Sequence, residues 1–514
     1  MSWGGNSEGV KEARAFFRHV RVPEQCSGEM LVAELQRVFC FRDLDDAFIQ
    51  NTGSKLLKEL RKANDEESVW LSHFLDHVAR YPVQAKQATK HDIPYVIPLI
   101  PSIAFFSTPR RVTKRNADDD HTTDKSWKPG LYIKEVLSYC MPEDQIDRYF
   151  VDLQNALIVS AEKDERFACL LDEKIRKALQ EHVQVNFAER SLAVGEVEHK
   201  ACIMPQTIRD RILNAPFKRL AGDIAAVLSV KSKVSRRQFV AMLESVVRIG
   251  SAAHVLWTCN VYRKLELKLS EILKGANSAL TESDVYTILN MPAAGLFSYG
   301  ANFQVKLREF FKDYELSSQR LNCLIDKLRS DAGFTPAQLD WSSVDSLLKS
   351  VECIRAYASS HPEFVEAYER DFSEYYRLAI KKFSLSMDSQ STHLQRFVLT
   401  TLAQNIQFKE VRFARYDQSY FARRRTNSSR SALLVNAGAV ALMTLVHCCS
   451  YRNGVVLLSN LLDALQAYGI IVTAGETAKR FKQQLRELGL TIDSPDAESG
   501  MVLQDIVANS ESED

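Results

Sequence analysis

From Leu131 to about Phe408 the apolar residues of this chain recur at helical spacing with only short breaks, and strand-like alternation is scarce. That periodicity restricts the fold more than any other feature, because a chain patterned this way buries its apolar stripes by packing helix on helix. Val234–Ile249 is a clear case: Ser235 stands where an N-cap is needed, and Phe239, Leu243, Val246 and Val247 fall on one face. Phe303–Leu328 and Val351–Phe383 carry further stripes. In the second of these, Tyr368, Phe372, Tyr375 and Tyr376 are spaced as core residues rather than as a platform for stacked bases. No fixed-length repeat accompanies the periodicity, so a solenoid has no support. The expectation for 514 residues is a mainly α, multi-domain helical protein of about two to four domains.

Residues 1–107 read as a helical N-terminal region. Its stripes are Leu31, Leu35, Val38 and Phe39; then Leu56, Leu57 and Leu60; then Val69, Trp70, Phe74, Leu75 and Val78. Thr52-Gly53-Ser54-Lys55 suggests a phosphate loop at first sight. It lacks the preceding strand and the first glycine, and reads as a break between two helices. Pro94, Pro98, Pro101 and Pro109 forbid a continuous helix from His91 to Pro109, which reads as an extended apolar connector. Residues 108–130 form a polar charged loop with Arg110, Arg111, Lys114 and Arg115 ahead of Asp118, Asp119, Asp120 and Asp124. The helical middle domain spans 131–410. Within it, Gln206–Val240 is locally basic, with Arg209, Arg211, Lys218, Arg219, Lys231, Lys233, Arg236 and Arg237.

The last quarter changes character. A basic, aromatic linker over 411–430 carries Arg412, Phe413, Arg415, Tyr416, Tyr420, Phe421, Arg423, Arg424, Arg425 and Arg430. Residues 431–504 then show three short helical patterns and a hairpin. Leu457–Tyr468 has Leu457, Leu458, Leu461, Leu462 and Leu465 as its stripe, and Gly469 ends it. Thr473 and Glu476 have the spacing of a capping box for the next helix. That helix points Ala478, Phe481, Leu485 and Leu488 inward and leaves Lys479, Arg480, Lys482, Gln483 and Arg486 outside. Leu490–Ile492 and Met501–Leu503 can pair across a turn near Pro495 and Gly500, and residues 505–514 form an acidic tail.

A basic lead-in, three helices and a hairpin resemble a winged-helix domain, and the resemblance implies that 431–504 folds as one compact unit. Cationic side chains neutralise phosphates, and amides such as Gln483 and Gln484 read base edges. The candidate nucleic-acid-binding residues are therefore Arg412, Arg415, Arg423, Arg424, Arg425, Arg430, Lys479, Arg480, Lys482, Gln483 and Arg486. Against DNA stands the acidic turn with Asp493, Asp496 and Glu498, which a phosphate backbone repels; winged helices also serve as protein-contact modules. The net charge of +1 requires any nucleic-acid affinity to come from local patches.

The motifs of catalysis are missing. No GxxxxGK[ST], GxSxG or HExxH occurs. His73, His77, His91 and Asp92 make the best metal set, with the chemistry of a helical metal-dependent hydrolase, but His91-Asp92 runs into Ile93-Pro94 rather than along a helix. Glu198-His199-Lys200 lacks the strand that a nuclease gives such a step, and Asp118–Asp120 with His121 sits in the charged loop. The ten cysteines form no CxxC pair, and Cys448-Cys449 reads as a pair of core thiols, in keeping with a reducing cytoplasm. The first residues lack the apolar segment of a signal peptide, and no membrane span is expected.

In texture the chain resembles accessory proteins of bacterial phage-defence systems, which are large and helical, with a terminal winged helix and no catalytic signature. The resemblance implies a cytoplasmic, non-catalytic subunit without cofactors that associates with DNA, binds partner subunits and positions their complex, in antiphage defence. Two other readings stay open: a scaffold whose winged helix binds another subunit, and a hydrolase using the histidines near His91.

Overall fold

The computed structural model describes residues 35, 39–41, 46–75, 100–103, 105, 143–158, 166–183, 215–275, 279–290, 295, 297–339, 344–383, 390–402, 420–425, 432–492 and 501–507. Among them are fourteen α-helices, and the strands are only two or three residues long, so the protein is mainly α.

The N-terminal helices α1 (Asp46–Leu60) and α2 (Glu66–Phe74) pack as neighbours, and α3 (Glu143–Leu157) and α4 (Arg166–Val183) follow. Thr52-Gly53-Ser54-Lys55 does not break the chain: it lies inside α1. Gly53 is needed there because a Cβ would stand 2.0 Å from the Phe105 carbonyl oxygen, which crosses over the helix. On α2 the expected stripe is displaced. Leu71 and Leu75 are buried beside Ser68 and Ser72, whereas Val69 and Trp70 are exposed, Trp70 stacking on Phe74 with ring centroids 5.4 Å apart. The part of the proline-rich connector that is described, Pro101–Ile103, is a 3-10 turn tied to α4 by Ser102 N donating to Asp172 Oδ1 at 2.8 Å.

Helix α5 (Pro216–Ser229) leads into α6 (Arg236–Leu273), the axis of the molecule. Ser235 caps α6 in a reciprocal box with Gln238, as its position in the sequence suggests. The helix then runs for 38 residues, well past Ile249. It is long and apolar enough to cross a membrane, yet 94% of its most apolar window is buried against other helices, so it is the core of the fold. Gly250 permits this burial, because a Cβ would lie 2.5 Å from Leu220 Cδ1 on α5. Arg236, 4% exposed, reaches back to α3 and donates to the carbonyls of Ala156, Leu157 and Ile158 at 2.6–3.1 Å. It thereby satisfies the orphan acceptors at that helix end.

Around α6 stand α7 (Glu282–Leu289), α8 (Gln304–Ser330) and α9 (Val344–Ser360), then, beyond α10 (Pro362–Phe383), which packs on α8 and α9, α11 (Gln390–Leu402); β1 (Phe297–Ser298) lies between α7 and α8 in the chain. Tyr368 and Phe372 are core residues, as their spacing suggests, and Arg320 lies over the Phe372 ring at 4.8 Å. Tyr376 is not a core residue: it is 39% exposed and stacks on Phe372.

The C-terminal part begins earlier than the helices there suggest. Residues Ala422–Arg424, inside the expected linker, are a strand, β2, paired antiparallel with β3 (Leu433–Val435). Then come α12 (Ala439–Asn453), β4 (Val456–Leu457), α13 (Leu458–Ala467), β5 (Ile470–Ile471), α14 (Glu476–Glu487), β6 (Thr491–Ile492) and β7 (Val502–Leu503). Strands β4, β7 and β6 form one antiparallel sheet in that order, with Val456 opposite Leu503 and Thr491 opposite the same residue on the other side. The hairpin of β6 and β7 was legible from the sequence; the third strand, β4, was not.

This part is joined to the helical core along several elements. Helix α12 packs on α5 and α6, β5 pairs in parallel with β1, and Tyr299 bridges to Val435. The junction is polar at its centre. Asp223 on α5 has no exposed surface; it accepts from the Tyr468 hydroxyl and from Arg452 Nη2, each at 2.5 Å, with Arg219 Nε at 3.5 Å. A Cβ at the adjoining Gly222 would press to 2.7 Å from the Arg452 guanidinium. Burial and the neighbouring carboxylate push the Tyr468 hydroxyl well above its ordinary pKa, so it stays a donor. Beside this cluster His447 is held between Asp505 Oδ2, 2.9 Å from Nδ1, and the Ala226 carbonyl, 3.0 Å from Nε2. Cys448 and Cys449 are fully buried, and burial raises both thiols above their usual pKa.

Candidate nucleic-acid interface

Helix α14 is built to present charge. Phe481 and Leu485 anchor it, at 1% and 0% exposure, while Lys479, Arg480, Lys482, Gln483 and Arg486 all stand in solvent. The expected capping box at its start does not form. Gly475 is the N-cap, with φ at +87°, and Glu476 is the first helical residue rather than the third. A glycine takes that conformation without the steric penalty other residues meet. Glu476 instead pairs with Arg480 at 3.2 Å, both side chains exposed. Gly469 and Gly489, the expected helix stops, both adopt positive φ.

The two glutamines have different fates. Gln483 is exposed and donates to Glu487 Oε1 at 3.2 Å. Gln484 turns inward and is committed to structure: its Nε2 donates to the Ala437 carbonyl at 2.8 Å, and its Oε1 accepts from the Tyr299 hydroxyl at 2.5 Å. Gln484 is therefore not available to read a base.

The arginines ahead of the first C-terminal helix are not a loose arm. Arg423 faces Leu434 and Arg424 faces Leu433 in the β2–β3 pairing, and Arg425 N continues it by donating to the Ala432 carbonyl at 2.9 Å. Side chains alternate along a strand, so Arg423 and Arg425 are exposed while Arg424 is half-buried. Phe421 of the same stretch is 1% exposed and part of the core; Tyr420 is half-buried. Arg412, Arg415 and Arg430 lie outside the described residues, as do Asp493, Asp496 and Glu498 of the acidic turn.

Tyr299, which no sequence signal marks, brings the two basic elements together. Its ring meets Phe481 edge-on at a centroid distance of 4.9 Å. Burial raises its hydroxyl to about 12, while the bond to Ala437, the charge of Arg423 and the bond to Gln484 pull the other way. Arg423 and α14 thus act on the same hydroxyl, across 185 residues of sequence in the case of Gln484.

Of the basic stretch Gln206–Val240, Arg209 and Arg211 lie outside the described residues, and several of the described cations have a different role. Arg219 is drawn to Asp223, Arg236 caps α3, and Lys231 donates to the Asn155 carbonyl at 3.3 Å, so these cations hold helices together. Of the histidine set, His73 is exposed on α2, and His77, His91 and Asp92 lie outside the described residues, as do Glu198-His199-Lys200 and Asp118–His121. Among the described residues no group of three or more His, Cys, Asp or Glu side chains is placed to hold a metal ion. Compared with protein-family models, curated proteins and solved structures, the chain matches none.

Proposed function

We propose that the C-terminal part is a winged-helix module, that α14 is its DNA-contacting helix, and that the protein is a non-catalytic accessory subunit positioning a partner complex on DNA. The observation that carries this reading is the exposed cationic face of α14. It is the third helix of the order α12, β4, α13, β5, α14, β6, β7, in which β4 lies beside β7 in the three-stranded sheet and β5 pairs instead with β1 of the helical core. Its 12 residues span about 18 Å, a length the B-DNA major groove accommodates. Four cations on it stand against Glu476 and Glu487, and such a face binds phosphates by releasing counterions. The broad joint with the helical core supports the positioning role, since a module so attached transmits its orientation to the rest of the chain.

The test is a salt titration of duplex-DNA binding by the full chain. Lys479→Ala/Lys482→Ala/Arg486→Ala should lower the steepness of log K against log salt by up to about 2.7, at about 0.9 per phosphate contact. Unchanged affinity and slope would remove DNA as the ligand of this helix. A second reading, a module that binds another protein subunit, is favoured by the end of α12 and the turn after it, where Tyr451 on the helix and Val455 in the turn are 55% and 69% exposed. Co-purification of a partner that is lost with Tyr451→Ser/Val455→Ser, in a chain with no DNA affinity, would select it.

A further inference from the structure

The acidic turn between β6 and β7 is poorly suited to a phosphate backbone, yet a DNA-contacting helix gains orientation from a second contact. The fold places another hairpin beside α14. We infer that the β2–β3 hairpin takes the wing's part, with Arg423 and Arg425 holding the backbone of the same DNA duplex whose groove receives α14. This rests on the reading of α14 given above and assigns the second half of its site.

Three observations carry it. The hairpin is fixed to α14 rather than tethered near it. Beyond β2 and β3 the pairing continues, with Asn436 N donating to the Phe421 carbonyl and Gly438 N to the Tyr420 carbonyl, both at 2.9 Å. Gln484 of α14 binds Ala437, between those two residues. Next, the helical core clamps both elements. Gly300 N donates to the Val435 carbonyl at 2.8 Å and Val435 N to the Ala301 carbonyl at 3.1 Å, while the neighbouring Tyr299 holds Gln484 and packs on Phe481. Finally, strand alternation selects the residues. Arg423 and Arg425 share the exposed face; Arg423 lies close enough to Tyr299 to bias its hydroxyl, and Arg480 stands one turn before Gln484 on the adjoining helix.

Like charges gathered on one rigid surface repel, and a polyanion relieves that repulsion at every one of them. The spacing is set by backbone hydrogen bonds, so the contacts are pre-ordered and bind at little entropic cost. The ligand is B-form DNA and not an RNA duplex, because the deep, narrow major groove of A-form RNA excludes a helix.

The experiment uses the full chain and a fluorescent duplex of about two helical turns, with anisotropy followed across a salt series. The variants are Arg423→Ala/Arg425→Ala, Arg424→Ala, Arg423→Lys/Arg425→Lys and the α14 triple alanine. The hairpin double alanine should lower the salt slope by up to about 1.8, from two contacts at about 0.9 each. Arg424→Ala should leave the slope as it is, and the lysine pair should restore it, since a phosphate contact needs the charge and not the guanidinium fork. The same sequence as an RNA duplex should bind more weakly. If the α14 triple lowers the slope and the hairpin double alanine does not, the hairpin inference is overturned and the α14 reading stands. An effect of Arg424→Ala equal to that of the double alanine overturns it too, as does equal affinity for the RNA duplex. A wild-type chain with no duplex affinity overturns both.

Discussion

Replacing Asp505 with asparagine should make the protein less sensitive to alkaline pH. His447 is 4% exposed in its side chain, and both ring nitrogens face acceptors, the Asp505 carboxylate and the Ala226 carbonyl. Only the imidazolium has a proton for each. Burial, together with Lys233, opposes that charge, but the bonds to Asp505 and Ala226 and the charge of Asp505 prevail, and the pKa is raised above 6.5. A histidine raised on folding contributes stability that is complete below its unfolded value and is lost as the pH climbs through the folded one. The wild type should therefore lose stability from about pH 6.5 upward, by no more than about 1.4 kcal/mol per pH unit for one proton. In Asp505→Asn the counter-charge is gone, the histidine titrates lower, and the difference between the two stability curves should shrink as the pH rises through the raised pKa of the wild-type histidine. Urea denaturation at half-unit steps from pH 6 to 9, with the His447 C2 proton followed by NMR, measures both. Parallel curves for wild type and variant would refute the argument.

Tyr468→Phe removes the hydroxyl that Asp223 accepts, and should cost about 1.5–3 kcal/mol, read as a lower urea midpoint at constant slope. Gly250→Ala drives a methyl into Leu220; overpacking of this kind costs about 1–3 kcal/mol, and Leu220→Val in the same chain should recover part of the loss. Arg236→Met leaves the carbonyls of 156–158 without their donor, so amides near the end of α3 should exchange faster with deuterium while those of α6 keep their protection. An isolated 431–504 segment loses the partners of α12 and β5 and the acceptors of Tyr468 and His447. Its amides should be less protected than the same residues in the full chain; equal protection would show that the joint with the core adds no stability.

The helical class and the inward faces of most helices were legible because they depend on spacing within a few residues. Ser235 as a cap, Phe481 and Leu485 as anchors, and the exposed cations of α14 all follow from local pattern. What was not legible depends on pairs far apart. Asp223 and Tyr468 are 245 residues apart, and Tyr299 and Gln484 are 185 apart, and nothing local marks either pair. Gly469 and Gly489 are the helix stops their positions suggest, but two other glycines depend on what is not local. Gly53 reads as a helix break and proves to be a helical position crossed by another backbone, and Gly475 displaces the capping box by supplying a backbone turn that no side chain provides. Strand β2 was hidden because it is three residues long and its pairing partner begins only at Leu433.

The burial of α6 has a consequence for synthesis. Its apolar window would suit a lipid bilayer by length and composition, and in the finished fold it is hidden by helices on both sides of it in sequence, the last of them α12. Translation at about 5–20 residues per second leaves roughly ten to thirty-five seconds between the emergence of Leu273 and that of Val446. Over that interval the cover of α6 arrives helix by helix, α7 first and α12 last. A chain arranged this way should depend on a holdase during translation far more than its finished surface suggests, and truncations that end before α12 should be found in aggregates or in membranes.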